Sequence, residues 1–279
     1  MIRYLKLVHM ELSRFGKFLA GLLVLVVLLQ FGSVVYSSIS YKNSQELQRE
    51  TMGLSQQEFL NREGFWPASL QDMMTAGVLF NGSILLVAGF LFLYIFFIWY
   101  RDWLGKNTFI YRMLMLPTDR VHVYLAKLTT IVLLVLAFLA LQLLLLPLEK
   151  LVFEMLIPEE LRISTSIFEV IRGVYLFNYI LPLQALDFLI YYGAGLTVVI
   201  LIFTGIVIER SYRLKGLIGG LIFVAIAAAL ILSPMVIAFM RWFEFYIWEV
   251  VWLEIGVIII VTLISLAISF RLIRYKVTV

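Results

Sequence analysis

Six stretches of this sequence carry almost no charge over the length an α-helix needs to cross a bilayer. The plainest is Leu133–Leu148, LLVLAFLALQLLLLPL. About 20 predominantly apolar residues cross a hydrocarbon core of about 30 Å. A soluble core can bury one such run, but six exceed what a chain of 279 residues could cover. Hydrophobic residues make up 63% and charged residues 14%, where a soluble domain has about 45–50% and about 25%. The excess requires a lipid-facing surface. With no water inside the bilayer, the backbone must satisfy itself within each segment, so the spans are helices. The expected fold is an all-α polytopic membrane protein with spans at about 18–38, 73–100, 121–146, 183–208, 216–240 and 250–270.

The segments between the spans are short. Met1 to Lys17 reads as an interfacial helix, with Arg3, Lys6, Arg14 and Lys17 in one stripe and Ile2, Leu5, Val8, Leu12 and Phe15 opposite. A signal peptide is the competing reading. The basic region is long, the following run can span, and no small-x-small cleavage site is visible. Residues 39–72 and 147–182 form the two large polar connections. In the first, SQQEFLNREGFWPASL can hold a short helix ending near Gly64. Asn81-Gly82-Ser83 fits a glycosylation pattern but lies inside a span. Gly216 and Gly220 open the fifth span with the small-x-x-x-small spacing that lets helices approach closely in lipid. Pro234 should kink or break that span near its end. The aromatic cluster that follows, Trp242 to Trp252, suits the headgroup level. The whole chain reads as one transmembrane domain.

Between the second and third spans lies a charged island, RDWLGKNTFIYRMLMLPTDRVHVYLAK, from Arg101 to Lys127. Asn107 to Leu116 can form a helix of three turns, capped by Asn107 and ended by Pro117. Phe109, Ile110, Met113 and Leu114 share one face of it, at helical spacing. Thr118 can cap the next helix, with Asp119 in its positive first turn. A short apolar-faced helix between two spans is a docking element.

The island resembles the first cytoplasmic loop of ABC-2-type ABC-transporter permeases, short bacterial forms of the Firmicute kind among them. There a coupling helix precedes a Leu-Pro turn, a basic residue and a Lys that starts the next span. Leu116, Pro117, Arg120 and Lys127 occupy those positions. The resemblance implies a coupling surface of Phe109, Ile110, Arg112, Met113, Leu114, Leu116, Pro117 and Arg120. It implies ABC ATPase subunits and a second permease as partners, identical or a sister chain. It also implies a re-entrant segment between the fifth and sixth spans.

Charge sets the orientation. With both termini in the cytoplasm, the inner segments hold 15 Lys and Arg and the outer ones 7. The positive-inside rule favours that choice, which places the island in the cytoplasm. The expected location is the bacterial cell membrane, with lipids as the surrounding partner and no nucleic-acid role.

Several chemistries lack their residues. There is no Cys, and only two His, which leaves no thiolate zinc site and little for a histidine metal centre. Gly105-Lys106 lacks the leading Gly and the following hydroxyl of a phosphate-binding loop, since position 100 is Tyr and position 107 is Asn. The chain is therefore expected to hold no cofactor and no catalytic residue, with ATP and Mg bound by a partner subunit. Glu159-Glu160 with Arg162 has the outline of an intramembrane protease motif. That pattern needs the Arg where Ser164 stands, and no His follows. An acidic helix start after Pro158 explains the pair better. Asp187 and Glu254 border the fourth and sixth spans and are candidates for a substrate path. Gln30, Asn81 and Gln142 read as interhelical hydrogen-bond partners. The resemblance implies export of an amphipathic or cell-envelope-related substrate, such as an antimicrobial peptide or a lipid. The rivals are an ion-coupled secondary transporter and a membrane sensor or assembly factor.

Because the chain has no native thiol, single cysteines can test the orientation. Cysteines at Gln56 and Ser166 should label with an impermeant reagent on intact cells, and one at Ser211 only after permeabilisation. Labelling of position 211 from outside reverses the topology.

Overall fold

The computed structural model describes residues 2–62, 64–103, 119–240 and 246–276, and only the backbone of residues 2, 3, 213, 214 and 247. The expected coupling helix, 107–116, lies outside the described residues, as do 241–245 of the expected re-entrant segment. The helices are α1 Ile2–Met52, α2 Gln56–Leu60, α3 Leu70–Ala76, α4 Val78–Trp103, α5 Val121–Leu156, α6 Ile167–Gly173, α7 Tyr175–Ile180, α8 Ala185–Phe239 and α9 Ile247–Tyr275. A single 3-10 turn, Glu159–Leu161, sits between α5 and α6. Among the described residues the only β pairing is an isolated bridge between Ala68 and Arg162.

Six helical stretches are long and apolar enough to cross a membrane: Tyr4–Met52, Val78–Trp103, Val121–Leu156, Ala185–Tyr212, Lys215–Phe239 and Trp248–Tyr275. Their burial is inverted relative to a soluble protein. Leu221, Ile222, Ile226, Ile259, Ile260 and Leu263 are exposed, while Lys127, Glu11, Thr204 and Ser269 are buried. Leucines outside and charges inside fit lipid as the solvent.

Three helices continue where the sequence suggested an end or a break. No loop separates the basic N-terminal stretch from the first span. The stretch is the first part of α1, which continues to Met52. Gly53, at φ 63°, ends the helix. Its N–H bonds to Glu50 O at 3.1 Å, and Leu54 N–H reaches Arg49 O at 3.3 Å. That pair of bonds is the Schellman stop, which needs a left-handed residue and so favours Gly. Pro147 likewise does not end α5, which continues to Leu156. α8 also runs on past Pro234 to Phe239.

α8 is helical from Ala185 to Phe239, yet it doubles back. A Cβ built on Gly220 would lie 2.6 Å from Gly205 O, and one on Gly216 would lie 2.5 Å from Ile208 O. In a straight helix, residues 205 and 220 would stand about 22 Å apart. The chain therefore reverses between Tyr212 and Lys215, and the fourth and fifth spans pack as an antiparallel hairpin. Only glycine permits this approach.

The chain forms two compact units. Unit 1 contains residues 1–14, 91–133 and 185–279. Within it, α8 packs on α9 around Leu201, Ala227 and Val261, with Phe223, Ile231 and Val257. A second cluster joins Leu7, Val8, Val123 and Ala126. Unit 2 contains residues 15–90 and 134–184. Its short helices have readable starts. Ser55 and Glu58 form a capping box on α2, and Ser166 and Glu169 form one on α6. Hydrogen bonds from these serines hold the Glu58 and Glu169 carboxyls below their usual range. Arg162 caps the end of α5 by donating to the Ile157 carbonyl at 2.9 Å and to that of Glu154. The Glu159-Glu160 pair lies on the 3-10 turn after Pro158, where Glu160 accepts from Gln56 at 2.6 Å.

The glycine hairpin yields a paired test. Gly220→Val forces a side chain into backbone and should cost about 1–3 kcal/mol, the usual range for overpacking. Gly193→Ala meets nothing within 4 Å and should leave stability near wild type. Thermal unfolding of the two purified variants in one detergent measures the difference. Equal stability would mean the hairpin contact is not formed.

Candidate functional site

The most concentrated chemistry among the described residues is a buried ion cluster in unit 1. Glu11 and Arg14 are one turn apart on α1. Ile98, Arg101 and Asp102 occupy one face of the last turns of α4. Lys127 lies in the second turn of α5. Lys127 is fully buried, and Glu11 and Asp102 are almost so. The Lys127 Nζ donates to Glu11 Oε1 at 2.9 Å, to the Ile98 carbonyl at 2.7 Å and to Asp102 Oδ2. An ammonium has three hydrogens to donate, and three acceptors surround this one. The remaining carboxylate oxygens are also taken. Arg101 donates to Glu11 Oε2 at 2.6 Å, and Arg14 donates to Asp102 Oδ1 at 3.0 Å. Trp99 adds its ring face 5.5 Å from the ammonium.

Three cations and two carboxylates leave one excess positive charge. The excess is carried at the rim, because Arg14 and Arg101 are partly exposed while Lys127 is not. Buried charges are tolerated only when paired and hydrogen-bonded, and Lys127, Glu11 and Asp102 meet both conditions, while Arg101 Nε is buried without a partner. It fixes α1, α4 and α5 to one another at the two chain ends that border 104–118. Tyr4 OH bonds Thr129 Oγ1 beside it. The turn between the fourth and fifth spans is joined to α4 as well. Tyr100 OH donates to Glu209 Oε2 at 2.5 Å, and Arg210 lies over the Tyr100 and Trp103 rings.

A second polar line joins α8 to α9 in the same unit. Thr197 Oγ1 and Thr262 Oγ1 are 2.8 Å apart, and Ser269 Oγ donates to Thr204 Oγ1 at 2.9 Å. Both pairs are separated by 65 residues, so the fourth and sixth spans run parallel in a fixed register. The buried hydroxyls hold that register, because lipid offers them no alternative partner.

Of the residues expected to form the site, Phe109, Ile110, Arg112, Met113, Leu114, Leu116 and Pro117 lie outside the described residues. Arg120 is half-buried just before α5. Gly216 and Gly220 lie against the backbone of the fourth span. Asp187 stands in the first turn of α8, whose positive end suits an acid. Glu254 lies about two turns into α9, with Oε2 buried and without a partner. The 65-residue register brings Asp187 level with Trp252, within one turn of Glu254. The two acids therefore share one end of the α8–α9 pair. Gln30 and Gln142 do bond each other: Gln30 Nε2 donates to Gln142 Oε1 at 2.9 Å and to Ser83 Oγ at 3.0 Å. Asn81 differs from its expected role as an interhelical partner. Its amide donates at 3.0 Å to the carbonyls of Met74, Thr75 and Gly77, closing the end of α3. Gly77 interrupts the helix there, and the freed carbonyls need a donor close in sequence.

Glu11 and Asp102 were not among the sequence candidates. Their signal was legible: Glu11 is the only acid in residues 1–45, and Asp102 the only one in 73–118. A lone acid in a basic segment next to a span implies a buried cation. Which cation it meets is not written locally. Glu149 was also passed over. It is fully buried in unit 2, and neither carboxyl oxygen has a hydrogen-bond partner. Leaving a buried polar group unsatisfied costs about 1–3 kcal/mol.

Removing the central cation exposes what the cluster contributes. Lys127→Met leaves two carboxylates buried and should cost about 3–5 kcal/mol, the usual penalty for breaking a buried pair from one side. Adding Glu11→Gln and Asp102→Asn to Lys127→Met should recover most of the loss. Unfolding midpoints of the purified proteins decide it; a single variant as stable as wild type would show the cluster to be solvated.

No family model, curated protein or solved structure matches this chain. The residues themselves establish an all-α protein with six apolar helices long enough to cross a membrane.

Proposed function

We propose that this chain is the membrane-spanning permease subunit of an ABC-2-type transporter, driven by ATPase subunits that are separate polypeptides. ATP and Mg are bound by those subunits, and this chain performs no covalent chemistry. It works with a second permease, a copy or a sister chain, and exports an amphipathic or cell-envelope-related substrate such as an antimicrobial peptide or a lipid. Both termini and the island face the cytoplasm of a bacterial cell.

One observation carries the reading. The Glu11–Asp102–Lys127 cluster holds together the helices that lead into and out of 104–118. A segment that receives force needs a rigid mount, and a buried ion cluster is one. The segment's apolar residues, Phe109, Ile110, Met113 and Leu114, supply what a groove on an ATPase would bury. Asp187 and Glu254, level with each other at one end of α8 and α9, are the acids nearest to a path for a cationic amphiphile.

The test is made on the island. Burying a side chain the size of Met or Leu is worth about 1.5–3 kcal/mol, and about 1.4 kcal/mol is a tenfold change in affinity. Met113→Glu with Leu114→Glu should therefore weaken ATPase docking more than tenfold. The variant should remain in the membrane with wild-type yield. Copurification of an ABC ATPase with this chain is the measurement. A variant that retains the ATPase in full stoichiometry sinks the assignment. Loss of the chain from the membrane would show that the island packs within the permease instead.

A further inference from the structure

Among the described residues, Glu149 is the one titratable side chain fully buried in unit 2. Its face of α5 is otherwise Leu145, Leu146 and Phe153, all buried. Neither oxygen of its carboxyl meets a donor. Among the described residues no Lys, Arg or His nitrogen comes within 4 Å of it. Its neighbour Lys150 pairs with Glu154 instead, at 3.7 Å. The charged groups on the other helices of unit 2 are Lys17, Lys42, Glu46, Arg49 and Glu50 on α1, Glu58 on α2, Asp72 on α3, and Glu169 and Arg172 on α6. All are exposed or half-buried, and none pairs with it. The other buried polar side chains of the unit are serines and glutamines, which do not titrate.

Glu149 is not isolated from polar groups along its own helix. Gln142 stands two turns earlier on the same buried face, bonded to Gln30, which is bonded to Ser83. Gln30 Oε1 and Gln142 Nε2 are buried without partners. Pro147 lies between Gln142 and Glu149. Lacking an N–H, it deprives the Leu143 carbonyl of its helical donor. Uncommitted polar atoms therefore line one stretch of α5, ending at the carboxyl. If the site served only to fill space, Leu would do so better, as it does at 145 and 146. An ionised carboxylate without a partner could not stay in such a place.

We propose that Glu149 is a proton-binding site, neutral in the closed unit and exchanging its proton with water when the unit opens. The step is an acid dissociation. The carboxyl O–H bond breaks, the electron pair stays on the carboxylate, and the proton passes to water. The closed unit tolerates only the protonated form, whereas the opened unit accepts either. Opening is therefore favoured as pH rises. The site is independent of the island, and its test uses no ATPase.

The experiment is infrared spectroscopy of the whole protein in lipid. At neutral pH, the wild type minus Glu149→Gln difference should show the carbonyl stretch of a neutral carboxyl without a hydrogen bond. On transfer to D₂O that band should shift, on the timescale of backbone amide exchange in unit 2. Glu149→Leu provides the same subtraction if the Gln variant folds poorly, and should unfold at a higher temperature than wild type. Absence of the band means that Glu149 is ionised and paired, which overturns the proposal. A band that never shifts in D₂O marks a static neutral group, which overturns it equally. A Leu variant of lower stability than wild type would show that the carboxyl has a partner, with the same consequence.

Discussion

A polar group inside a bilayer has no water to fall back on, so it must find its partner in the protein. That constraint organises this structure more than apolar contact does. Between helices surrounded by lipid, apolar surface gains little from association, because the lipid is as apolar as the neighbouring helix. What singles out one arrangement is the set of buried polar atoms and the few places where backbones can touch. The three hydrogens of Lys127 and the paired hydroxyls at 197/262 and 204/269 satisfy the constraint at different levels of the chain, and the Gln30–Gln142 pair satisfies it in part. Each also fixes a register, since sliding a helix by one turn would strand its polar members.

Glycine does the complementary work. Gly205 and Gly220 bring two backbones into contact, and Gly216 does the same one turn nearer the reversal. Dispersion between closely packed atoms accumulates over many contacts, and it is the attraction that lipid cannot match at the same density. The hairpin of the fourth and fifth spans thus rests on missing side chains, while the α8–α9 pair rests on hydroxyls. One helix, α8, carries both devices on different faces.

The sequence made the six apolar helices legible, because an apolar run of bilayer length has few other uses. The capped starts were legible too: Ser55 with Glu58 and Ser166 with Glu169 have the spacing that a capping box needs. Helix ends were harder. The polar residues after Ser38 read as a loop, yet polarity says only that a segment is solvated, not that it is irregular. Gly53 was the better marker, since a left-handed stop is what its missing Cβ allows. Pro147 misled in the opposite direction. One lost hydrogen bond does not outweigh the packing of Phe153 and Ile157 beyond it. The ion cluster was half legible. The lone acids Glu11 and Asp102 announced buried partners, but 116 residues separate Glu11 from Lys127. A pairing over that distance is decided by the fold and not by local pattern.

The cluster also limits how unit 1 can respond to a load. An ammonium inside a ring of acceptors has no gradual way to yield. Stretching one bond weakens it before any water arrives to replace it, and in a dry site that loss is not screened. The cluster therefore holds or breaks, and below the breaking load α1, α4 and α5 move as one piece where they meet. Apolar helix contacts can slide a little, because each atom pair contributes about 0.1–0.2 kcal/mol. A displacement applied between Asp102 and Lys127 would accordingly leave the cluster intact and appear at the softer contacts. In unit 1 the packing around Leu201, Ala227 and Val261 is of that softer kind. The hydroxyl pairs beside it allow rotation about their own axis more readily than a change of register.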